Sequence, residues 1–351
     1  MAVKSIAGHE LTPGKTVKDH IHVEGTELHV PHVLLCGQKP GPTVLISAGI
    51  HNAEYVGIQA AIELSNELDV VQLRGNVVIL PLINRSGFEN RTMSRQTILE
   101  ENRTYWTGRA SGYSEVNKLE LSTAQRQKWK DRLCDELVQQ FSNRPFAELS
   151  VLEVGTGPGF FAILLRELGC EVTAIDLTPA MLAEAEKNAG TLAGEIHFME
   201  MNAEALTFAN RSFDAVISRN LTWNLPHPDR AYAEWERVLK PGGLLLNFDA
   251  NWYAYLFDKE AQAAYERDRL NSAEQGAGDQ NIGENFDVME DIARRVPLSR
   301  LLRPAWDLHQ LRALGFEVET DETVWQRVWS EEEKLNFAST PLFLIRGKKA
   351  P

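Results

Sequence analysis

The stretch "VLEVGTGPGFF" at residues 151–161 constrains the fold more than any other part of the sequence. An apolar run, Val151 to Val154, leads into three closely spaced glycines, Gly155, Gly157 and Gly159, and a helical pattern follows. Glycine adopts positive φ without strain and has no Cβ, so the backbone can approach a ligand closely at the carboxyl end of a strand. The pattern therefore predicts a strand, a ligand-binding turn and a helix.

A carboxylate follows at the position where such a turn requires one. The next apolar run ends at Asp176, about twenty residues after the glycines. A carboxylate there can accept hydrogen bonds from two ribose hydroxyls, whereas a glycine-rich turn with a helix-capping aspartate is the simpler alternative. The third glycine follows the second by two positions instead of three, which differs from the dinucleotide fingerprint. The spacing favours a nucleoside-containing ligand over a dinucleotide.

From residue 146 to residue 351 the sequence alternates strand and helix patterns. The apolar runs "VLEVG", "EVTAIDL", "EIHFMEM", "FDAVISR" and "GGLLLNFDA" are separated by helical patterns, and "FEVETDETVW" and "LFLIRGK" close the chain. This alternation predicts an α/β fold with a Rossmann-like doubly wound parallel sheet, whose last two strands pair as an antiparallel hairpin. A polar, helix-rich lead-in at 94–145 precedes the sheet, and a helical insertion interrupts it at about 258–303. The insertion ends in the basic run "ARRVPLSRLLR", which we interpret as a solvated helix face in preference to a site for an acidic substrate.

The first 93 residues predict a smaller, partial α/β unit. The runs "TVLISAG" and "GNVVILPLIN" flank a helical pattern, and "QKPGP" predicts a turn before the first of them. Buried strands on either side of a helix indicate a βαβ unit. Two parallel strands and one helix leave sheet edges uncovered, so we interpret this segment as a truncated fragment.

Composition excludes several classes of function. The formal charge of −13 repels phosphate backbones, and no dense basic patch offsets it, so we expect no nucleic-acid partner. Three widely separated cysteines, Cys36, Cys134 and Cys170, match no zinc or redox spacing and fit a reducing compartment. No window reaches the roughly 18 apolar residues that a membrane span needs. We expect a cytoplasmic protein without a membrane partner.

Four ordered motifs resemble the class I S-adenosylmethionine-dependent methyltransferases that act on small molecules. These are "LEVGTGPG", "AIDLTPAMLAEAE", "EALTFANRSFDAVISR" and "EWERVLKPGGLLL", and the resemblance covers about residues 100–348. It implies S-adenosylmethionine as cofactor, S-adenosylhomocysteine as product, and a helical lid before the sheet. It also implies a set of cofactor-binding residues: Glu153, Gly155, Thr156, Gly157, Gly159, Asp176, Leu177, Met181, Asn202, Ala203, Glu204, Arg219 and Asn220. Asn202 stands where the family usually has an aspartate.

The acceptor is not encoded in these motifs. The sulfonium is already an activated electrophile, so alignment of the acceptor can provide most of the rate acceleration, and no fixed catalytic triad is expected. Candidates for the acceptor site come from segments that cover the pocket: Tyr105, Trp106, Arg109, Trp223, Asn224, Trp252 and Tyr253. His227, Tyr113 and Asp249 are candidate catalytic residues, although His227 is also typical of a surface loop and Asp249 of a helix cap. We expect a small organic acceptor, methylated at an undetermined N, O, S or C atom.

A second resemblance concerns "GPTVLISAGIHNAEYVGIQAAIEL" and "LRGNVVILPLINRSGFENRT" near the amino terminus. These stretches are similar to the start of the succinylglutamate desuccinylase and aspartoacylase family, which has a zinc carboxypeptidase-like fold. The resemblance implies His51 and Glu54 as two zinc ligands. A catalytic zinc takes three protein ligands, and the resemblance ends before the family's third ligand and its general base are due. We therefore expect a vestigial site without functional metal.

The sequence thus predicts three parts: a truncated zinc carboxypeptidase-like fragment at 1–93, a helical lid at 94–145 and a methyltransferase domain at 146–351. The leading function is methyl transfer to a small molecule. The alternatives are a zinc-dependent amidohydrolase or bifunctional enzyme, and a fragment that serves as a non-catalytic interaction module. A homodimer is compatible with any of these.

Overall fold

A seven-stranded sheet lies at the centre of the larger of two compact units. The computed structural model describes residues 5–23, 29–49, 55–83, 95–275 and 286–351, and the chain divides into units 1–97 and 98–351. The strands of the larger unit are β7 (Ser150–Val154), β8 (Glu171–Asp176), β9 (Ile196–Glu200), β10 (Phe213–Arg219), β11 (Leu239–Asp249), β12 (Phe316–Asp321) and β13 (Phe343–Lys349). Their order across the sheet is β12-β13-β11-β10-β7-β8-β9.

The sheet topology confirms the predicted doubly wound fold. Strands β7 to β11 are parallel to one another, while β13 is antiparallel to both β11 and β12. The chain runs outward from β7 to β9 and then returns to place β10 on the other side of β7. This reversal is a topological switch point, and ligands of such sheets bind at the carboxyl ends of the strands beside it.

Helices pack on both faces of this sheet because its central strands are apolar along their whole length. The helices are α2 (Arg95–Ser122), α3 (Ala124–Phe141), α4 (Phe160–Glu167), α5 (Pro179–Ala189), α6 (Pro228–Val238), α7 (Lys259–Glu274), α8 (Phe286–Ala293), α9 (Ala305–Ala313), α10 (Trp325–Val328) and α11 (Glu331–Asn336). Trp129, Phe161 and Phe248 meet edge-to-face in one core layer, and Tyr232 and Trp235 lie in the other. The predicted lead-in forms α2 and α3, and the described part of the insertion forms α7 and α8.

The smaller unit contains more than the predicted βαβ arrangement. Its first strands are β1 (Ser5–Ile6), β2 (His9–Glu10), β3 (Thr16–His22) and β4 (His29–Cys36), followed by β5 (Lys39–Ser47), α1 (Tyr55–Glu67) and β6 (Arg74–Leu80). The pair β5 and β6 is parallel and connected through α1, as predicted, but β3 and β4 extend the sheet with antiparallel pairing in the order β3-β4-β6-β5. The predicted turn at "QKPGP" is wrong, because β5 already begins at Lys39 and has an irregular register as far as Thr43. Proline and glycine are tolerated there because β5 is an edge strand.

In the part of the chain that the structure describes, no helix is long and apolar enough to cross a membrane.

A fully buried guanidinium joins β11 to the segment before α9. Arg303 donates to Asp249 Oδ2 at 2.8 Å and, through Nε and Nη2, to both oxygens of Asp307 at 2.9 and 2.8 Å. Tyr232 and Thr222 complete this network. The interpretation of the basic run as a solvated face is therefore wrong for Arg303, whose side chain has no exposed surface. Burial disfavours the charge, but the two carboxylates outweigh it and raise the pKa of Arg303.

We expect Arg303→Met to lower the free energy of unfolding by about 3–5 kcal/mol, because it leaves two buried carboxylates without a counter-ion. All eight tryptophans lie in the larger unit, so tryptophan fluorescence in a denaturant titration follows this unit. Arg312→Met, on the exposed face of α9, is the matched control and should change the free energy by less than about 0.5 kcal/mol. A loss below about 1 kcal/mol for Arg303→Met, as for a surface ion pair, would contradict this account.

Candidate active site

A cavity of about 310 Å³ opens at the carboxyl ends of the strands beside the switch point, within the larger unit. Most of the predicted site residues line it: Trp106, Tyr113, Glu153, Gly155, Thr156, Gly157, Asp176, Leu177, Met181, Asn202, Ala203, Arg219, Asn220, Trp223, Asn224, Trp252 and Tyr253. Sequence reasoning missed other lining residues, including Leu99, Asn102, Asn117, Phe160, Thr178, Met201, Leu221, Tyr255 and Phe337. Six predicted residues do not line it: Tyr105, Arg109, Gly159, Glu204, His227 and Asp249.

The glycine turn has the backbone conformation that the sequence predicts. Gly157 has a φ of 52°, and a Cβ placed on it would stand 3.6 Å from the ring of Tyr113. The amides of Gly155 and Thr156 donate to the carbonyl of Ile175 at 2.9 Å, which ties the turn to the end of β8. Gly159, by contrast, has a packing role: its missing Cβ would lie 3.0 Å from Ala185 of α5. Gly159 does not line the cavity, and its predicted place beside the cofactor stays a prediction.

Asp176 links the turn to the start of α5. Its Oδ2 accepts from the Gly157 amide and its Oδ1 from the Thr178 amide, each at 2.9 Å. Burial raises the pKa of Asp176, while these backbone donors act in the opposite direction. Each carboxylate oxygen has two lone pairs, so both keep the capacity to accept from a ligand.

Glu153, at the end of β7, carries the most unusual ionisation in the cavity wall. The carboxyl accepts from Thr156 Oγ1 at 2.6 Å and is almost fully enclosed. Burial raises the pKa of Glu153 to about 8, although the Thr156 hydroxyl and the Ala162 amide lower it. Near neutral pH the group therefore holds a proton until a cationic ligand or higher pH removes it.

A buried ion pair connects the covering helix α2 to the end of β10. Arg219 donates through Nη2 to Glu120 Oε1 at 2.5 Å, and its guanidinium lies over the rings of Trp129 and Phe160 at 4.8 and 4.9 Å. Burial raises the pKa of Glu120 and opposes ionisation of Arg219, but the Glu120 charge outweighs this and raises the pKa of Arg219. The Arg219 cation is thus paired with Glu120, and Arg219 also lines the cavity.

Helix α2 supplies two aromatic rings to the cavity wall. Trp106 and Tyr113 line the cavity with ring centroids 5.8 Å apart, and burial raises the pKa of the Tyr113 hydroxyl. Tyr105 stands outside the lining and packs edge-on against Trp106 at 5.2 Å. Arg109 also lies outside it. Neither residue lines the cavity, and their predicted contact with the acceptor stays a prediction.

Asp249 fixes the part of the cavity wall that Trp223 and Trp252 form. Its Oδ2 accepts from the backbone amide of Trp223 at 3.0 Å, and its Oδ1 accepts from Trp252 Nε1 at 3.2 Å. With Thr222 and Arg303 also bound to Oδ2, the carboxylate is wholly committed within the protein. The predicted catalytic role of Asp249 is therefore corrected: it has no surface in the cavity and positions two tryptophans that do.

His227 and Glu204 form a second structural contact behind the wall. The His227 amide donates to Glu204 Oε1 at 2.6 Å, where α6 begins. His227 is 7% exposed and does not line the cavity, and its role as a general base stays a prediction. Asn202 does line the cavity, and its Oδ1 accepts the Glu204 amide at 2.9 Å.

Residues 152–247 match the family model of the methyltransferase domain. The matched residues run from β7 to β11 of the Rossmann-like sheet, and the match agrees with the resemblance that the four sequence motifs carry. Residues 40–143 match the succinylglutamate desuccinylase/aspartoacylase catalytic domain. This match supports the second resemblance, and it extends beyond residue 93 through α2 and α3.

Two curated relatives illustrate the range of proteins that this chain resembles. The ubiquinone/menaquinone biosynthesis C-methyltransferase of Nitrobacter hamburgensis is 39% identical over 140 residues, covering 39% of this chain and 54% of that protein. The malonyl-[acyl-carrier protein] O-methyltransferase of Enterobacter lignolyticus is 37% identical over 114 residues, covering 32% and 43%. The chain thus spans about half the length of the curated relatives it matches.

Among solved structures, the complex of the Haloferax volcanii Trm112 methyltransferase activator with its putative methyltransferase is similar with a TM-score of 0.44. The sequence identity is 17%, over 69% of this chain and 96% of that one.

We expect the stability of the ligand-free protein to depend on the proton on Glu153. The folded state keeps this proton up to about pH 8, whereas an ordinary glutamate loses it near 4.5. The contribution of Glu153 to the free energy of unfolding is therefore fully present below pH 4.5 and is lost as pH rises to about 8. Denaturant titrations followed by tryptophan fluorescence across this range should show a decline that is smaller in Glu153→Gln. Identical pH profiles for the two proteins would contradict the assignment.

Proposed function

We propose that residues 98–351 catalyse methyl transfer from S-adenosylmethionine to a small-molecule acceptor by in-line attack on the sulfonium methyl. The observation that carries this proposal is the cavity itself, which joins the glycine turn and Asp176 to an aromatic chamber in one volume. When bound, S-adenosylmethionine supplies an activated methyl group. The family model matches residues 152–247, and the activity of the whole chain is our proposal.

The lining residues fit this cofactor. Both oxygens of Asp176 keep acceptor capacity for ribose hydroxyls, and the space over Gly157 would receive the methionine part. Glu153 would accept from the amino group of the methionine part, and ionisation of Glu153 would accompany binding. Leu177, Met181 and Asn202 line the same cavity and would surround the adenine.

We call the part of the cavity lined by Trp106, Trp223, Trp252 and Tyr253 the acceptor half. Its residues favour alignment of the acceptor over acid–base chemistry. His227 and Asp249 do not line the cavity, and the Tyr113 ring lies 3.6 Å from a Cβ placed on Gly157 of the turn. The protein would hold the acceptor against Trp106, Trp223 and Tyr253, in line with the methyl group, and would exclude water from the reacting atoms. The methylated atom is not assigned, and the relatives include both C- and O-methyltransferases.

The amino-terminal 93 residues would be a fragment of a zinc carboxypeptidase-like fold joined to this enzyme. The match over residues 40–143 supports this origin and favours zinc-dependent hydrolysis as a second candidate function. His51 and Glu54 lie outside the described residues, and no group of three or more potential ligands close enough to hold a metal occurs within 5–23, 29–49, 55–83, 95–275 and 286–351. An interaction-module role, a homodimer and a cytoplasmic location stay predictions.

We expect S-adenosylhomocysteine to bind the intact protein in a calorimetric titration. Asp176→Ala should weaken binding by about tenfold or more, because it removes the acceptor for two ribose hydroxyls. Gly157→Val should nearly abolish it, since valine is strained at a φ of 52° and its side chain enters the cofactor space beside Tyr113. Asp131→Ala, exposed on α3, is the control and should bind as the unaltered protein does. Failure of the intact protein to bind S-adenosylhomocysteine would refute the proposed function.

For the second candidate function, zinc content is decisive. We expect protein purified without chelators to contain far less than one zinc per chain, with no difference in His51→Ala. A zinc hydrolase would instead hold about one zinc per chain, lost in His51→Ala and kept in the control His197→Ala on the exposed face of β9. Mass spectrometry of the metal content distinguishes the two outcomes.

A further inference from the structure

The sheet of the smaller unit ends on one side in β5, whose outer edge pairs with no other strand of the described chain. The strand order β3-β4-β6-β5 places β5 at this edge. Its apolar residues are nevertheless exposed: Leu45 by 64% and Val44, on the opposite face of the sheet, by 49%. Apolar residues on both faces are typical of an interior strand, and an uncovered edge of this kind is a template for pairing with another chain.

The hydrogen bonds of β5 determine which of its backbone groups point outward. Ala48 donates through its N–H to the Leu80 carbonyl of the segment β6 at 2.9 Å. In a parallel pair, alternate residues of a strand direct both backbone groups to the same neighbour, so the even-numbered residues of β5 bond to β6. The N–H and C=O groups of Thr43, Leu45 and Ser47 therefore point to the open edge.

The other edge of the same sheet is protected against strand addition. Strand β3 carries Lys18 and Asp19, and charged side chains on an edge oppose pairing with a further strand. Strand β5 has no charged side chain after its first residue. Pro40 and Pro42 lack an amide N–H, which limits pairing to the stretch Thr43–Ser47. Among the described strands of this sheet, β5 therefore has the edge that is suited to pairing.

The stretch Thr43–Ser47 is complementary to a second copy of itself. When two copies run antiparallel with Leu45 opposite Leu45, Thr43 lies opposite Ser47 and Val44 opposite Ile46. The three residues with outward-pointing backbone groups then form hydrogen-bonded pairs, with about six main-chain hydrogen bonds in all. Apolar side chains lie opposite apolar side chains, hydroxyls lie opposite hydroxyls, and no like charges meet.

We propose that β5 is a dimerisation strand, through which two copies of this chain pair along Thr43–Ser47 in antiparallel orientation. The two-fold axis passes beside Leu45, and the four-stranded sheets of the two smaller units become one continuous sheet. Association closes at the dimer, because a two-fold contact uses the same edge of both copies. The proposal goes beyond the proposed methyltransferase function and does not depend on it.

Sedimentation velocity on the full chain tests the proposal. A five-residue strand pair forms a small interface, so we expect a dissociation constant of about 10 µM. Between about 1 and about 100 µM, the weight-average mass should therefore rise from that of the monomer toward twice that value.

Charge substitutions at the axis locate the contact. Leu45→Lys and Leu45→Glu each place like charges directly opposite one another, so each should raise the dissociation constant by about tenfold or more. An equimolar mixture of the two variants places opposite charges there and should recover the dimer. This recovery also shows that both variants fold. Val71→Lys, at a residue outside β5 that is 53% exposed, is the matched control and should dimerise as the unaltered protein does.

A cross-link provides a variant without added charge. Residues directly opposite in a hydrogen-bonded antiparallel pair have Cα atoms about 5.5 Å apart, within the range of a disulfide. We expect Leu45→Cys to give a covalent dimer on mild oxidation, and Val71→Cys to give none.

Each of several results would overturn the proposal. The unaltered protein could remain monomeric over the whole concentration range, or its mass could grow beyond that of a dimer. The dimer could persist unweakened in Leu45→Lys, or the mixture of Leu45→Lys and Leu45→Glu could stay monomeric although circular dichroism shows both variants to be folded. If a charged variant does not fold, the concentration series on unaltered protein and the Leu45→Cys cross-link decide the question.

Discussion

The ion pair between Arg219 and Glu120 determines how the cavity is closed. Both charges are buried, so each is stable only in the presence of the other, and the stacking of the guanidinium on Trp129 and Phe160 leaves it little freedom. Glu120 lies in α2 and Arg219 at the end of β10, so the pair holds the covering helix against the sheet at the switch point. The positions of Tyr113 over the glycine turn and of Asn102 beside Asn224 follow from this attachment.

The cofactor half of the site could be predicted from sequence because its geometry is local. Glycine at a positive φ, and a carboxylate at the end of the adjacent strand, produce the same arrangement wherever a parallel strand leads into a helix. The contact between the Gly157 amide and Asp176, at 2.9 Å, is the direct consequence. Gly159 has a second constraint besides its φ of 90°: the close contact with Ala185 on another helix, which no local pattern discloses.

The acceptor half could not be predicted in the same way. Asp249, at the end of a buried strand, has the sequence position of a catalytic carboxylate, but a guanidinium 54 residues away neutralises it. Asn102 lies in a polar helical stretch, where asparagine is usually solvated. Its burial comes from the carbonyl of Asn224, 122 residues further along the chain. In the smaller unit, likewise, β3 and β4 join the sheet through antiparallel pairing that alternating patterns alone do not specify.

The sequence by itself determined the strand and helix order of residues 146–351. It also determined the glycine turn after β7 and the class of ligand that such a turn accepts. These properties depend on residue types at short spacing, where backbone sterics and apolar periodicity dominate. The tertiary structure alone decided which polar groups remain available to a second ligand. Hydrogen-bond capacity is taken up by partners distant in sequence, so the absence of Asp249 and His227 from the cavity lining emerges only when the chain is folded.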